Sequence, residues 1–383
     1  METLAAPGFL YTVAVFVIVI GLLVFVHEYG HYKVARIFGI KVETFAVGFG
    51  REVFGWTDRN GTRWKLGWLP LGGYAKFAGD MNAASQPDPQ MDAKTDAASG
   101  VDRSELFHYR PIWQKFLVVL AGPSINFLFA IGIFAIFFMT YGHQITPPIV
   151  SQVVAGAPAA AAGIQSGDRV VSIGDQSVFR FEDVMRIISI NPGTAVDIVV
   201  ERDDLLLEKQ VTPRIVAEVD RFGNEYTRGM LGVGSDQRTV VHHGPLDAVK
   251  WAGIETWGIV RMMWDTIVQI VTGRRTVEDL GGPIKIAQFS GQSASLGLPA
   301  LISFIALISI NLGFINLLPI PMLDGGHLFL YALEGVRRKP LNPKVQEWAF
   351  MSGFALLMSL MLFLTWNDLQ SVGLLDQLAG LIG

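Results

Sequence analysis

The chain has 383 residues, of which 51% are hydrophobic and 17% charged, with a net charge of −4 and no cysteine. A mean hydropathy of +0.40 excludes an ordinary soluble enzyme and points to a polytopic α-helical membrane protein whose first partner is the lipid bilayer. The mild acidity, with no basic face or stripe, argues against nucleic acid as a partner, and the lack of cysteine excludes disulfides and thiolate metal ligands.

Stretches long enough to cross a bilayer core of roughly 30 Å occur near residues 8–28, 115–139, 299–322 and 347–366, which makes four spans. The first is an unbroken apolar run from Phe9 to Val26 that ends in His27-Glu28-Tyr29-Gly30-His31. No basic residue precedes it and no small-residue cleavage site follows it, so it reads as a retained span and not as a signal peptide. Histidines four apart share one helix face, where both imidazoles reach a single Zn²⁺ and the glutamate between them serves as general base. Ionisable groups at membrane depth are costly unless they are paired, and a bound divalent cation turns this cluster into a ligand set.

Residues 42–79 come next. Aromatic and polar residues alternate around Asp58-Arg59-Asn60-Gly61, and an Asn-Gly step between such runs predicts a hairpin with strands Val53–Thr57 and Thr62–Trp68. Trp56, Trp64, Trp68 and Tyr74 place this β element at the headgroup level. Residues 80–104, rich in Gln, Asp, Ala and Ser, read as a flexible cytoplasmic linker, and the second span lies within 105–141.

Residues 142–245 are predicted to form a small α+β module of ordinary domain size. Its expected order is a strand at Val150–Val154, a short helix at Ala157–Ala160, a strand after Ser166-Gly167-Asp168, a helix at Phe181–Ile190 and strands at Ala195–Glu201 and Leu206–Thr212. The module resembles a PDZ domain, the Ser-Gly-Asp-x-Val-x-x-Ile-x-Gly run being the specific part of the match. Within 246–297, Leu246–Val271 mixes Glu255, Arg261 and Asp265 with three tryptophans and reads as an amphipathic helix in the outer interface. The third span, within 298–330, leads into Asn316-Leu317-Leu318-Pro319-Ile320-Pro321-Met322-Leu323-Asp324-Gly325-Gly326-His327, and the fourth lies in 331–383.

Lys and Arg concentrate after the first span, before the second and after the third, while Met1–Gly8 and Gly142–Ala160 have none. The positive-inside rule then places both termini and residues 142–298 outside, and the 33–114 and 323–346 loops inside. His31 and Asp324 fall at the same inner leaflet. A catalytic zinc takes three protein ligands and keeps its fourth position open, so Asp324 is the candidate third ligand. His327 is expected to face elsewhere, and His242-His243 to be a solvated loop pair.

A helix-borne His-Glu-x-x-His, a Leu-Asp-Gly after a later span and a PDZ-like insertion between them resemble the site-2 protease family of intramembrane zinc metalloproteases, in its branch containing the regulator of sigma-E protease. The likeness runs nearly end to end, including Ala121-Gly122-Pro123-Ser124-Ile125-Asn126 and Gly281-Gly282-Pro283-Ile284. It implies that His27, His31 and Asp324 bind zinc, that Glu28 is catalytic, and that Asn316, Pro319 and Pro321 shape the substrate path. The chain departs from the best-known member, which carries two PDZ domains in tandem, because the space from Pro147 to Val241 holds about one periplasmic PDZ-like domain. The implied activity is cleavage of single-span membrane proteins in the bacterial inner membrane, as of an anti-sigma factor after a first cut by a periplasmic protease, with clearance of remnant signal peptides. A substrate helix must unwind to be cut; the expectation is that it pairs with a strand of the 44–77 hairpin while the Asn126 or Asn316 amide takes up freed backbone groups. The rival from another class is a zinc-binding membrane scaffold that presents the PDZ-like domain without hydrolysis; it has no use for the glutamate.

Overall fold

The computed structural model describes residues 8–79, 103–219, 225–272, 281–339 and 341–371. The linker expected at 80–104 lies almost wholly outside them. Four of the described helices are long and apolar enough to cross a membrane: Phe9–Ile37, Ile112–Thr140, Leu298–Leu317 and Lys344–Gln370. The described residues divide into two compact units, one drawn from Met1–Ala135, Val249–Asp265 and Val277–Gly383, the other from Ile136–Ala248 and Thr266–Thr276.

The first unit is built on α1 (Phe9–Ile37). Its buried residues Val19, Leu23, His27, His31 and Ala35 recur every four positions, so one stripe faces the protein. Against α1 packs a sheet made by two long bent strands, β1 (Val42–Thr57) and β2 (Arg63–Phe77). The predicted hairpin is present, with Phe54 opposite Leu66 and Thr57 opposite Arg63 around the Asn60-Gly61 turn. Sequence reasoning missed that each strand makes a second pass. Thr44–Val47 lies opposite Arg63–Leu66 on one edge and opposite Gly73–Lys76 on the other, which gives the order 73–76, 44–47, 63–66, 54–57. Gly48 and Gly50, both at positive φ (84° and 86°), lie where β1 turns from its first pass to its second, a conformation glycine adopts without a Cβ penalty.

Aromatic rings lock the sheet to α1. Phe45 lies 4.3 Å from Trp64 and 5.6 Å from Phe25 between centroids, and the Tyr32 hydroxyl donates to Asp58 Oδ2 at 3.2 Å. Asp58 also accepts the backbone N–H groups of Asn60 and Thr62 and the Trp64 indole N–H, so one carboxylate closes the turn and anchors it to the helix. Such Asx geometry is ordinary turn chemistry.

After α2 (Ile112–Thr140), α5 (Pro245–Val271), α6 (Pro283–Ser295), α7 (Leu298–Leu317), α8 (Asp324–Arg337) and α9 (Pro343–Ser371) supply the remaining helices. The 323–346 segment, expected to be a basic loop, is mostly the helix α8; its Gly-Gly start reads as a turn in sequence but opens a helix. Buried Asp368 of α9 accepts the backbone N–H groups of Gly282, Ile284 and Lys285, which caps the N-terminus of α6, itself packed against α1.

The second unit has its own core of Val150, Ile164, Ile173, Phe181, Val184, Ile187, Ile198 and neighbouring residues. Its strands and helices follow the predicted order: β4 (Gln152–Val153), α3 (Pro158–Ala161), β5 (Arg169–Ile173), β6 (Gln176–Ser177), α4 (Phe181–Ser189), β7 (Val196–Arg202) and β8 (Leu205–Val211). The main sheet runs β6-β5-β7-β8. Asp168 of the Ser-Gly-Asp run is fully buried, receives Arg202 through two bonds of 2.6 and 2.8 Å and takes the Gln165 N–H at 2.8 Å, while Arg202 also donates to the Gly163 carbonyl. Burial alone would raise this carboxyl, but the guanidinium and the Gln165 N–H outweigh it and hold it below the ordinary carboxylate range. A hairpin of β9 (Arg214–Val219) and β10 (Glu225–Met230) is added to the expected elements. His243, expected to be solvated and unpaired, lies 3.3 Å from buried His143, whose ring stacks on Phe138 at 4.1 Å. The pairing of β11 (Thr239–Val241) with β3 (His143–Ile145) brings them together, a non-local contact that a sequence of isolated loop histidines does not announce.

Candidate active site

His27 and His31 point from one face of α1 to a common place, their Nε2 atoms 3.3 Å apart. Asp324 Oδ2 comes to 3.1 Å from the first and 3.5 Å from the second. These donors, all within 4.8 Å of one another, are the metal-ligand cluster found among the described residues. Zinc with bonds of about 2.0–2.1 Å in tetrahedral array separates its ligands by roughly 3.3–3.4 Å, so the spacing fits that ion. The hydrogen-bond state agrees. The His31 Nδ1 donates to the Val118 carbonyl at 2.9 Å, which leaves its Nε2 as a lone pair, and the buried Asp324 Oδ2 receives no hydrogen bond although two imidazole nitrogens lie near it. The His31 lone pair and the unbonded Asp324 oxygen converge on one point, which suits a cation.

Local sequence explains each position. Gly122 of α2 faces the His31 ring so closely that a Cβ there would overlap the imidazole. One residue on, Pro123 cannot donate to the Val119 carbonyl and crowds the preceding turn, next to the Val118 carbonyl that holds His31. Asp324 is brought in by a sharp break: α7 ends at Leu317, Pro319 and Pro321 occupy the connection, and Met322 adopts φ 83°, a conformation costly for a residue with a side chain. Asp324 is the first residue of α8, where the helix dipole favours a carboxylate.

Glu28 faces the same cavity, which has a volume of about 280 Å³ and is lined also by Asn316, Met322, His327, Tyr331 and the β2 segment Gly72–Ala75. The backbone N–H of Ala75 meets the Glu28 carboxylate. Among the predicted site residues, then, the structure gathers His27, His31, Asp324, Glu28 and Asn316 around one space. Pro319 and Pro321 shape the approach of Asp324 without lining the cavity. Asn126 is fully buried and touches His27. His327 was expected to face elsewhere but lines the cavity, its ring 4.8 Å from Phe350; its place three residues beyond Asp324 on a helix was the available signal. Nothing in the sequence signals the strain at Met322.

A His-Glu-x-x-His helix completed by a carboxylate from another helix defines a zinc metallopeptidase centre, carried here on a chain with four helices fit to cross a membrane. Comparison with known proteins is more specific. The model of peptidase family M50 matches residues 15–360, and the chain belongs to that family, whose members are zinc metalloendopeptidases. It is 41% identical to a protein of Rhizobium meliloti named "Putative zinc metalloprotease", over 94% of this chain and 96% of that one, and 42% identical to one of the same description from Agrobacterium fabrum, over 96% and 98%. "Metalloprotease MmpA" of Caulobacter vibrioides is 34% identical over 98% of this chain and 99% of its own. Among solved structures, the PDZ domain of an SdrC-like protein from Listeria innocua is 20% identical over 25% of this chain and 99% of its own, with a TM-score of 0.19, too low to build on.

Proposed function

We propose that this metallopeptidase is a multi-pass protein of the bacterial inner membrane that cuts single-span membrane proteins within or near the span. The reading places both termini and the PDZ-like unit in the periplasm and the active site near the cytoplasmic leaflet, in keeping with the distribution of Lys and Arg. Its substrates are anti-sigma-factor-like proteins already cut once by a periplasmic protease, and remnant signal peptides. The observation that carries the reading is the meeting, in one cavity, of three metal donors, a carboxylate with no cationic side chain beside it among the described residues, and a strand edge that no other described strand pairs.

In this assignment His27, His31 and Asp324 hold the zinc. When bound, zinc supplies a Lewis acid that brings the pKa of a water from 15.7 toward roughly 7 and polarises the scissile carbonyl. Glu28 takes the proton of the attacking water and passes it to the departing amine. The Ala75 N–H holds the carboxylate toward the cavity, and Val24, Val119 and Leu312 give that cavity an apolar side.

The substrate's unwound segment pairs along Gly73–Lys76. Among the described residues no strand occupies the outer edge of that pass, its inner edge being taken by Thr44–Val47, and Gly72–Ala75 lines the cavity. An extended peptide added there presents its backbone to Glu28. Asn316, on the opposite wall, is positioned to receive a freed backbone group. The PDZ-like unit acts as a filter that admits trimmed substrates.

Incubation of the purified chain in detergent with truncated single-span reporters, followed by mass spectrometry of the products, tests the reading. Cleavage of a bond within or beside the span is expected. Zinc-loaded protein that cuts none of several such reporters would favour the scaffold.

A further inference from the structure

We propose that Asn126 is a positioning residue that fixes the tautomer of His27, its side-chain carbonyl accepting the His27 Nδ1 proton so that Nε2 is left bare toward the metal. The proposal rests on the zinc reading above and extends it to the shell behind the ligands.

Asn126 is fully buried on α2. Its main chain is tied down from α7, where the Ser309 hydroxyl donates to the Asn126 backbone carbonyl at 2.8 Å. Its side-chain amide ends 3.1 Å from His27 Nδ1. With the nitrogen Nδ2 at that end, the amide donates, His27 Nδ1 accepts, and the ring proton must sit on Nε2. That proton would then point into the cluster of His31 Nε2 and Asp324 Oδ2. Such a proton is aimed at His31 Nε2, 3.3 Å away, and not at Asp324 Oδ2, which receives no hydrogen bond though His27 Nε2 lies 3.1 Å from it; it would occupy the place of the metal.

Turning the amide by half a revolution exchanges two ends that are nearly identical in shape. Oδ1 then accepts from Nδ1–H, and the Nε2 lone pair faces the metal position. In the unturned orientation Oδ1 is buried at the far end without a donor, so turning the amide gives up no hydrogen bond at that end. His27 therefore decides which way the amide faces.

His31 supplies the parallel. Its Nδ1 rests on the carbonyl of Val118, eight residues before Asn126 on the same helix. α2 thus carries an acceptor behind each histidine of α1, a backbone carbonyl for one and an amide carbonyl for the other. Metal-bound histidines characteristically donate their second ring N–H to such acceptors, and losing one typically weakens metal binding about 10–100-fold.

The test is zinc affinity of the full chain in detergent, measured by chelator competition, for wild type, Asn126→Leu and Asn126→Asp. Leucine matches the volume without an acceptor and is expected to weaken zinc about 10–100-fold. Aspartate, which can only accept in its ionised form, is expected to hold zinc as tightly as wild type or more so. In a His27→Ala background, Asn126→Leu should have no further effect. Leucine that binds zinc like wild type, or aspartate that weakens it as leucine does, would overturn the inference while leaving the zinc site standing. If the leucine variant does not fold, the aspartate result decides alone, because a donating amide and an accepting one predict opposite outcomes for it. A wild type that binds no zinc overturns the zinc reading and this inference together.

Discussion

Asp168 and Asp324 each turn a carboxylate oxygen away from solvent, and they are treated in opposite ways. Asp168, in the second unit, is answered by Arg202 on both oxygens and by the Gln165 amide. Asp324, in the first, faces two imidazole nitrogens and receives no hydrogen bond on Oδ2. A buried charge whose partners are complete holds a loop in place. One that faces two histidine nitrogens and receives no hydrogen bond from them marks the place of a cation that the fold is built to receive.

Exchanging each carboxylate for its amide should separate the two roles. Asp324→Asn removes one of three zinc donors and is expected to lower zinc affinity by more than about 100-fold, beyond the range for losing a supporting acceptor, without lowering the thermal stability of the zinc-free protein. A variant that keeps zinc would show that the third ligand lies elsewhere. Asp168→Asn replaces the carboxylate beside Arg202 with a neutral amide; denaturation should show a loss of stability in the second unit, with zinc binding unchanged.

Gly122→Ala sharpens the contrast from the other side. It adds a methyl group into the space of the His31 ring and should weaken zinc by about tenfold or more through misplacement of that ligand, though no donor is removed. Retained affinity would mean that α1 and α2 separate easily.

The free strand edge is open to a cross-linking test, because the chain contains no cysteine. Tyr74→Cys should form a disulfide with a cysteine placed near the cut site of a reporter, whereas Trp56→Cys, on the pass at the far edge of the sheet, should not. Equal cross-linking at both would remove the strand-pairing account. Proline scanning is a poor alternative: Thr62 is fully buried, with its N–H on Asp58 and its hydroxyl on the Val42 carbonyl, and the pass around Lys65 has both edges occupied, so proline at either breaks the sheet itself.

The smallest effect concerns pH. Because the folded Asp168 carboxyl titrates below its unfolded value of about 3.9, its contribution is fully present above that value and fades as the pH falls through the folded pKa. The acid limb of unfolding for the second unit should therefore be shallower in Asp168→Asn than in wild type. An unchanged limb would place the acid sensitivity in another carboxylate.

What was legible in the sequence was local. Spacing four put His27 and His31 on one face, the Asn60-Gly61 step set one hairpin, apolar length marked four candidate spans, and Ser-Gly-Asp marked the turn before a strand. The remainder depends on contacts between distant segments. The second passes of β1 and β2, which create the edge beside Glu28, follow from a sheet order that no local pattern encodes. α8 was hidden because Asp-Gly-Gly is good turn chemistry as well as the close-packed start of a helix; a Cβ on Gly325 would run into the backbone of Leu317 and Leu318. Asn126 was visible as a polar residue in a span, but only the register of α1 against α2 shows that it meets His27 and does not line the cavity.

Zinc content and reporter cleavage, measured side by side for wild type and Glu28→Gln in the same detergent, test the central claim most directly. The account predicts one tightly held zinc in both proteins and cleavage in the wild type alone, the loss being at least about 10²–10⁴-fold, as for removal of a general base. Cleavage that survives the substitution with zinc bound would contradict it.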